Sequence, residues 1–518
     1  MNRELLTYLS GAIRPAIEQE WQRLETEKER AEAVQRRLEM ELKLVKEELR
    51  LARIAKYGPK SEQLSDEQLQ LLELEPGVVT AEIETEVQRP DRKITVRNHP
   101  GRAELPAHLP RREVVFTCTP EQRTCTQCGG QKVSIGYDCC EELDVEPAKY
   151  FVNVIKREKC ACKRCEETGV STAVVPGHKI IEKSKASNAV IIDTIIAKYC
   201  NHQPLYRQQE TLWREAGIEI TAMTRCGWVM QSGAWLEAVS RAMREDLLAG
   251  SYIQADETTV GVRSERTRGR NHQGYIWEYS RPKGPVVFDF QMGRGREAPR
   301  KFLANFNGAL QSDGYSAYAQ IGGANLTHAG CFSHARRGFV DALKLSPGEP
   351  LAQEIIRKIA QLYAVEKRAR EAGLSSEERR CLRQLRSVSV LAELKEKIIA
   401  TRQQALPQSA LGKACDYALS QWSRLIVFAS NGEVEIDNNW CENAIRPVAL
   451  GRKNWLHIGS EGAGPRIAAI MSVIETCRRL EINVRDYLTD VLPRIPTWPV
   501  KRIAELTPMA WKKENFPG

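Results

Sequence analysis

Three carboxylates that lie far apart along the chain sit in surroundings that could turn them toward one another. Asp256 falls in "SYIQADETTVGV" (251–262), a strand-like run with β-branched and apolar neighbours. Asp313 closes the apolar run of "GALQSDGYSAY", with Gly314 just past it. Glu442 follows the polar stretch of "DNNWCENAIRP" (437–447), where Asp437 or Asn438 can cap a helix and Glu442 sits one turn in. Two carboxylates hold a divalent cation poorly. Phosphodiester cleavage by a two-metal route needs a third, so that two hard cations sit about 3.5–4 Å apart astride the phosphate. Glu435 and Asp437 compete with Glu442 for that third place. Glu257, next to Asp256, should face the other side of its strand. An all-oxygen ligand set suits Mg²⁺ (or Mn²⁺) better than Zn²⁺. Taken singly, each of these acids is more often a turn or cap residue than a ligand, so their joint placement must carry the reading.

That placement depends on a sheet. After Gly250 the hydrophobic period becomes that of strands: the Asp256 run, then "YIWEYS" and "PVVFDFQM" as a hairpin with a Pro-Gly turn between them. A short helix over 298–306 leads to a fourth strand running into Asp313. "NLTHAGCFSHARRGF" then gives a fifth strand and a helix bearing His334, Arg336 and Arg337. This order approximates a ribonuclease H-like mixed sheet flanked by helices, in which strands one and four are neighbours. The two aspartates would then converge although 57 residues separate them. The stretch 340–430 is helical and reads as an insertion. It returns the chain to the sheet at "SNGEVEIDNNWCENAIRP".

Cations cluster near the same acids. Arg446 lies four residues after Glu442, which suits either an intrahelical ion pair or a phosphate contact. Arg452 and Lys453 in "GRKN" are candidate DNA contacts, because basic groups beside such a triad suit a polyanion. His334, Arg336 and Arg337 could line the site, and a structural role suits His334 equally.

Upstream, "CTQC" (Cys125, Cys128) and "CKRC" (Cys162, Cys165) are separated by 33 residues. Two such knuckles suit one tetrahedral four-thiolate Zn²⁺. Cys118, Cys139, Cys140 and Cys160 are near neighbours, and Cys160 is the main rival ligand. Residues 205–230 read as a helix, a Gly217 turn, a Thr221 cap and a second helix ending near Trp228, the spacing of a helix-turn-helix. Residues 18–56 form a charged helix with an apolar seam at Ala31, Val34, Leu38, Leu42, Val45, Leu49 and Ala52. The seam fits a homomeric coiled coil or packing on the same chain. The segment 88–112 carries seven Arg/Lys, two acids and four prolines, and suits an extended linker, either a tether or a strap along phosphates.

At 518 residues the chain is long enough for about three or four domains. Its 42% hydrophobic and 28% charged residues are those of a soluble globular protein, and the net charge of +9 is mild for the length. No stretch approaches 18 consecutive apolar residues, and the start lacks the apolar core of a signal peptide. Fifteen cysteines, an odd number, point to reduced thiols and a cytoplasmic, nucleoid-associated setting. The expected organisation is a helix over 1–58, a linker over 59–112, a zinc-binding domain over 113–172 and a helical DNA-binding region over 180–248. A catalytic core over 249–340 is interrupted by a helical insertion over 341–432, completed over 433–480, and followed by a tail over 481–518.

Taken together, these segments resemble the DDE transposases of the insertion-sequence family numbered sixty-six. The resemblance spans nearly the whole chain: "YGPKSEQL", "LPAHLPRREVVF", the paired cysteines, "QADET", "QSDGY", "CFSHARRGF", "DNNWCENAIRPVALGRKNWLHIGS" and "LEINVRDYLTDVLP". It implies that Asp256, Asp313 and Glu442 form the catalytic and metal-binding triad. It also implies DNA ends and target DNA as partners, with accessory proteins of the same element. A nuclease or resolvase of the same fold, or a DNA-binding regulator, is the alternative.

Overall fold

The computed structural model describes residues 14–57, 111–123, part of 127–161, 170–174, and 177–516 apart from 265–270, 320, 347 and 456. The chain divides into two units, Val87–Val174 and the remainder. In the smaller unit Lys159–Ala161 pairs antiparallel with Val170–Thr172, which sets exposed Cys160 opposite Ser171. The four expected zinc ligands, Cys125, Cys128, Cys162 and Cys165, lie outside the described residues, as does the linker up to residue 110.

Helix α1 (Arg14–Tyr57) carries i,i+4 ion pairs along its surface, such as Arg37 to Glu41 at 3.0 Å. Its seam residues Val34, Leu38, Leu42, Val45 and Leu49 are all more than half exposed. Among the described residues no helix is long and apolar enough to cross a membrane.

Helices α2 (Asn188–Tyr199), α3 (Leu205–Ala216) and α4 (Ala222–Leu248) precede the sheet. Gly217 ends α3 in the left-handed conformation (φ 65°), which costs glycine little. Thr221 caps α4 by accepting a hydrogen bond from the Thr224 amide. The expected stop near Trp228 does not occur: α4 is 27 residues long and runs on to Leu248. The reason is packing, since Trp228, Leu236, Val239 and Met243 are all buried in the main core. At Gly233 a methyl group would meet the backbone of Arg466, so α4 and the later helix approach closely at that point.

The central sheet has five strands: β1 (Tyr252–Arg263), β2 (Asn271–Ser280), β3 (Val286–Gln291), β4 (Ala309–Gln311) and β5 (Thr327–Ala329). Their spatial order is β3-β2-β1-β4-β5. The first three run antiparallel, and β1, β4 and β5 run parallel. The parallel part requires crossovers. Helix α5 (Glu297–Leu303) lies in the connection between β3 and β4.

Edge strand β3 is not left bare. The amides of Val286 and Phe288 donate to the hydroxyls of Thr476 and Ser472, one turn apart on helix α11 (Gly464–Arg479). Side chains of a covering helix thus stand in for a missing strand. On the other side of the molecule α6 (Phe332–Leu345), α7 (Pro350–Glu371), α8 (Ser376–Gln404) and α9 (Ala410–Ser420) share a second core with Tyr252, Ala309 and Ala329 of the sheet.

Helix α10 (Asn439–Trp455) then lies across β1 and β2, and Pro447 does not break it. Beyond it the chain rejoins β1: Arg263 donates its amide to Ile458 O at 2.8 Å, and Ile458 returns one to Gly261 O at 2.7 Å. Helix α10 is therefore tied to β1 at both of its ends.

Candidate active site

A buried amide network aligns the elements that carry the three acids. In the β1–β4 register Gln254 pairs with Gln311, and each glutamine stands two residues before an aspartate. Residues two apart in a strand share a face. Gln254 Nε2 donates to Gln311 Oε1 at 3.0 Å and to the carbonyl of Asp437 at 2.8 Å. Gln311 Nε2 donates to the carbonyls of Gly330 and Glu435, both at 2.8 Å. Gln254 Oε1 accepts the Cys441 amide at 3.2 Å, and the Tyr252 hydroxyl accepts the Glu435 amide at 3.1 Å. Both glutamines are fully buried, where an unmade hydrogen bond costs about 1–3 kcal/mol. The network therefore fixes the segment 435–441, and with it the first turn of α10, against β1 and β4. Sequence reasoning missed these glutamines; the signal available was the repeated Q-x-D of "QADET" and "QSDGY".

Asp256 on β1 and Glu442 on α10 are half-buried, as is Asp313 just past β4. Burial pushes the Asp256 carboxyl well above its ordinary range, and the charges of Glu442, Glu257 and Asp313 push it further. Asp256 therefore lies close enough to Glu442 and to Asp313 to feel the charge of each. The Asp313 carboxylate accepts the Tyr315 amide at 2.8 Å across Gly314, whose φ of +89° is a glycine conformation. The Asp313 carbonyl accepts the Tyr417 hydroxyl at 2.6 Å, which pins this turn to α9.

The rival acids have other partners. Glu257 accepts from both Arg294 nitrogens (2.7 and 3.0 Å) and from the Tyr318 hydroxyl (2.9 Å). Glu435 pairs with Arg379 in the buried network of the insertion. Asp437 is fully buried and caps the turn into α10, accepting the Asn439 amide at 3.2 Å. Packing anchors that turn from beneath: Cys441 is buried and hydrogen-bonds Glu278, and Arg479 reaches the Trp440 carbonyl at 2.7 Å beside its ring.

Two cationic or imidazole groups approach Glu442: His334 Nδ1 lies 3.5 Å from Oε1 and Arg337 lies 3.5 Å from Oε2. Burial lowers the His334 pKa below its ordinary value, against the opposing pull of Glu442. Arg336 is half-buried and turned over the Tyr363 ring at 6.0 Å. Arg446 and Lys453 are exposed. Arg452 anchors α10 to β1 by donating to the Thr259 carbonyl at 2.6 Å and to the hydroxyls of Thr258 and Thr259.

Comparison with known proteins identifies the family. Residues 183–466 match the model described as the transposase IS66 family, and residues 472–509 match the IS66 C-terminal element. Residues 122–166, which contain both cysteine pairs, match the zinc-finger binding domain of transposase IS66. Residues 44–114 match the model described as transposase C of IS166 homeodomain. The uncharacterized protein y4jD of Sinorhizobium fredii is 34% identical over 428 residues, 79% of this chain and 82% of its own. The uncharacterized protein y4qI of the same organism is 32% identical over 495 residues, 90% of this chain and 88% of its own. A mixed α/β domain preceded by a zinc-finger region and matched by a DDE transposase model defines the class: a transposase, with DNA as its partner and divalent metal in its chemistry. The chain belongs to the IS66 transposase family.

Proposed function

We propose that this transposase cleaves DNA at the ends of its element and joins the freed 3′-hydroxyl to target DNA, using Asp256, Asp313 and Glu442 as one metal-binding triad. The observation that supports the reading is that Asp256 on β1 feels the charges of both Asp313, just past β4, and Glu442 on α10, while Glu257, Glu435 and Asp437 are engaged elsewhere. The strand order β3-β2-β1-β4-β5 supports a ribonuclease H-like core for that chemistry. The oxygen-only ligand set suits two Mg²⁺ (or Mn²⁺) ions, which when bound activate the attacking hydroxyl and neutralise charge on the phosphate. Asp256, Asp313 and Glu442 would together hold these ions, and Asp256 feels the charge of both other acids. The glutamine network holds these carboxylates in place before DNA arrives, and no covalent link to the protein is needed.

The remaining assignments support the same function. Cys125, Cys128, Cys162 and Cys165 hold one structural Zn²⁺. Helices α3 and α4 bind the element ends, and the exposed seam of α1 joins copies of the chain. Arg337, Arg446 and Lys453, exposed around α6 and α10, contact phosphates. Accessory proteins of the element complete the assembly.

The test is a Mg²⁺-dependent cleavage and joining assay on DNA carrying the element's terminal repeats, comparing the wild type with Glu442→Gln. Loss of both steps in the variant is expected, and full activity in the variant overturns the triad. Cleavage without joining would favour a nuclease or resolvase, and end binding without cleavage a regulator.

A further inference from the structure

Beside the triad lies a second set of donors with different chemistry. Cys331, the residue preceding α6, is buried, and His334 stands one turn into the same helix. One ligand atom each from Cys331, His334 and Glu442 lies within 4.8 Å of the other two. A sulfur, an imidazole nitrogen and a carboxylate oxygen form a set that oxygen-preferring Mg²⁺ does not select and that Zn²⁺ does.

The geometry fits that ion in three respects. Metal–ligand bonds of about 2.0–2.3 Å at tetrahedral angles put neighbouring donors roughly 3.5 Å apart. His334 Nδ1 and Glu442 Oε1 stand at 3.5 Å. Both atoms are buried and neither makes a hydrogen bond among the described residues, and a cation between them would satisfy both when Nδ1 is unprotonated. The Cys331 sulfur accepts the Asn438 amide at 3.4 Å, the backbone support that a coordinating thiolate uses. Arg337 lies 3.5 Å from Oε2, on the other oxygen of the Glu442 carboxylate from the one that faces His334.

We propose that Cys331, His334 and Glu442 form a binding site for a thiophilic divalent cation of the Zn²⁺ class, distinct from the finger zinc and from the Mg²⁺ pair. Binding displaces the thiol proton of Cys331 to solvent and leaves a fourth position open for water. Because Glu442 belongs to both sets, an ion held here withdraws the third carboxylate from the triad. That consequence rests on the triad reading; the binding itself does not.

The test uses the full chain, loaded with Zn²⁺, freed of excess and analysed for zinc per chain, as wild type, Cys331→Ser and His334→Gln, with thermal melting to establish folding. The expected result is about one zinc fewer in each folded variant than in the wild type. Equal zinc content in the wild type and a folded variant overturns the site. Should Cys331→Ser not fold, His334→Gln decides alone, because its side chain reaches the half-exposed edge of the cluster. In the strand-joining assay, added Zn²⁺ should inhibit the wild type and inhibit Cys331→Ser several-fold less, each relative to its own zinc-free rate. Zinc that binds at the wild-type site without inhibiting overturns the shared use of Glu442. A wild type inactive even without zinc overturns the strand-transfer reading, while the zinc count still tests the site.

Discussion

The molecule gathers buried acids twice, seven residues apart on one segment, and treats them in opposite ways. In the helical insertion, Glu366 and Glu435 meet Arg379 and Arg383. Glu366 is fully buried, receives two bonds from Arg383 at 2.7 Å and is reached by Arg379 at 2.6 Å. Burial would raise its carboxyl, but the two guanidiniums outweigh burial and hold it below the ordinary range. At the sheet, Asp256 faces Glu442 and Asp313, and its carboxyl is driven upward. Glu435 and Glu442 lie on either side of the turn into α10, one in each cluster. A charge-matched cluster holds structure together, whereas an unmatched one holds repulsion that a bound cation relieves. The contrast is what favours Glu442 over Glu435 as the third ligand in the proposed triad.

The contrast breaks most sharply at Asp256. Asp256→Asn should lower strand cleavage by at least about 10³-fold, the scale of losing a member of a unit that acts together. It should leave the melting temperature equal to or above that of the wild type, because the amide removes a charge the folded state disfavours. A large drop in stability would place Asp256 with the matched cluster and sink the contrast.

The opposite signature belongs to Arg383. Removing one partner of a buried ion pair costs about 3–5 kcal/mol, because the other charge is stranded. Arg383 also donates to the carbonyls of Phe428 and Asn431 at 2.7 and 2.8 Å. Arg383→Met should therefore lose stability on that scale in denaturant melts, while the molecules that remain folded keep their cleavage rate. Unchanged stability would show that the matched cluster contributes nothing to the fold.

How far the sequence could carry this follows from which interactions are local. The strands were legible from hydrophobic period and turn residues, and the pairing of β1 with β4 from the likeness of their order to a ribonuclease H-like sheet. The cap and first turn of the Glu442 helix were legible from "DNNW". The preference for Glu442 over Glu435 rests on helix context and the family resemblance, and the pairing that engages Glu435 was not readable. That pairing is with Arg379, 56 residues away on α8, which no spacing rule connects to Glu435. Gln254 and Gln311 were passed over because a lone glutamine in a strand carries no chemical signature; only their matched position before each aspartate gives them away. The continuation of α4 beyond Trp228 was misjudged for a related reason, since what extends it is tertiary burial against the later helix.

Glu278 sharpens the comparison at intermediate scale. It pairs across from Asp256 in the β1–β2 register, is fully buried, and lies 3.9 Å from buried Arg479. Burial raises its carboxyl from 4.5 to about 7, with Arg479 opposing only in part. The folded state thus keeps this proton between about pH 4.5 and 7 while the unfolded chain gives it up, so stability falls as pH rises through that window. The full effect is at most roughly 3 kcal/mol. Glu278→Gln, which mimics the protonated acid, should flatten that slope in melts run at about pH 5 and about pH 8. A slope as steep as that of the wild type would move the titration to another group.

The smallest stability effect is expected at Arg337, the cation that stands over the unmatched cluster. Its side chain is 56% exposed and 3.5 Å from Glu442, and exposed pairs of this kind contribute about 0–1 kcal/mol. Arg337→Gln should therefore melt close to the wild type. If the guanidinium instead serves phosphate, DNA binding should weaken alike for all sequences, with the salt dependence shallower by about one counterion. An unchanged salt slope would tie Arg337 to Glu442 alone. The carboxylate cluster would then carry one matching charge of its own, held at its exposed rim where solvent keeps it weak.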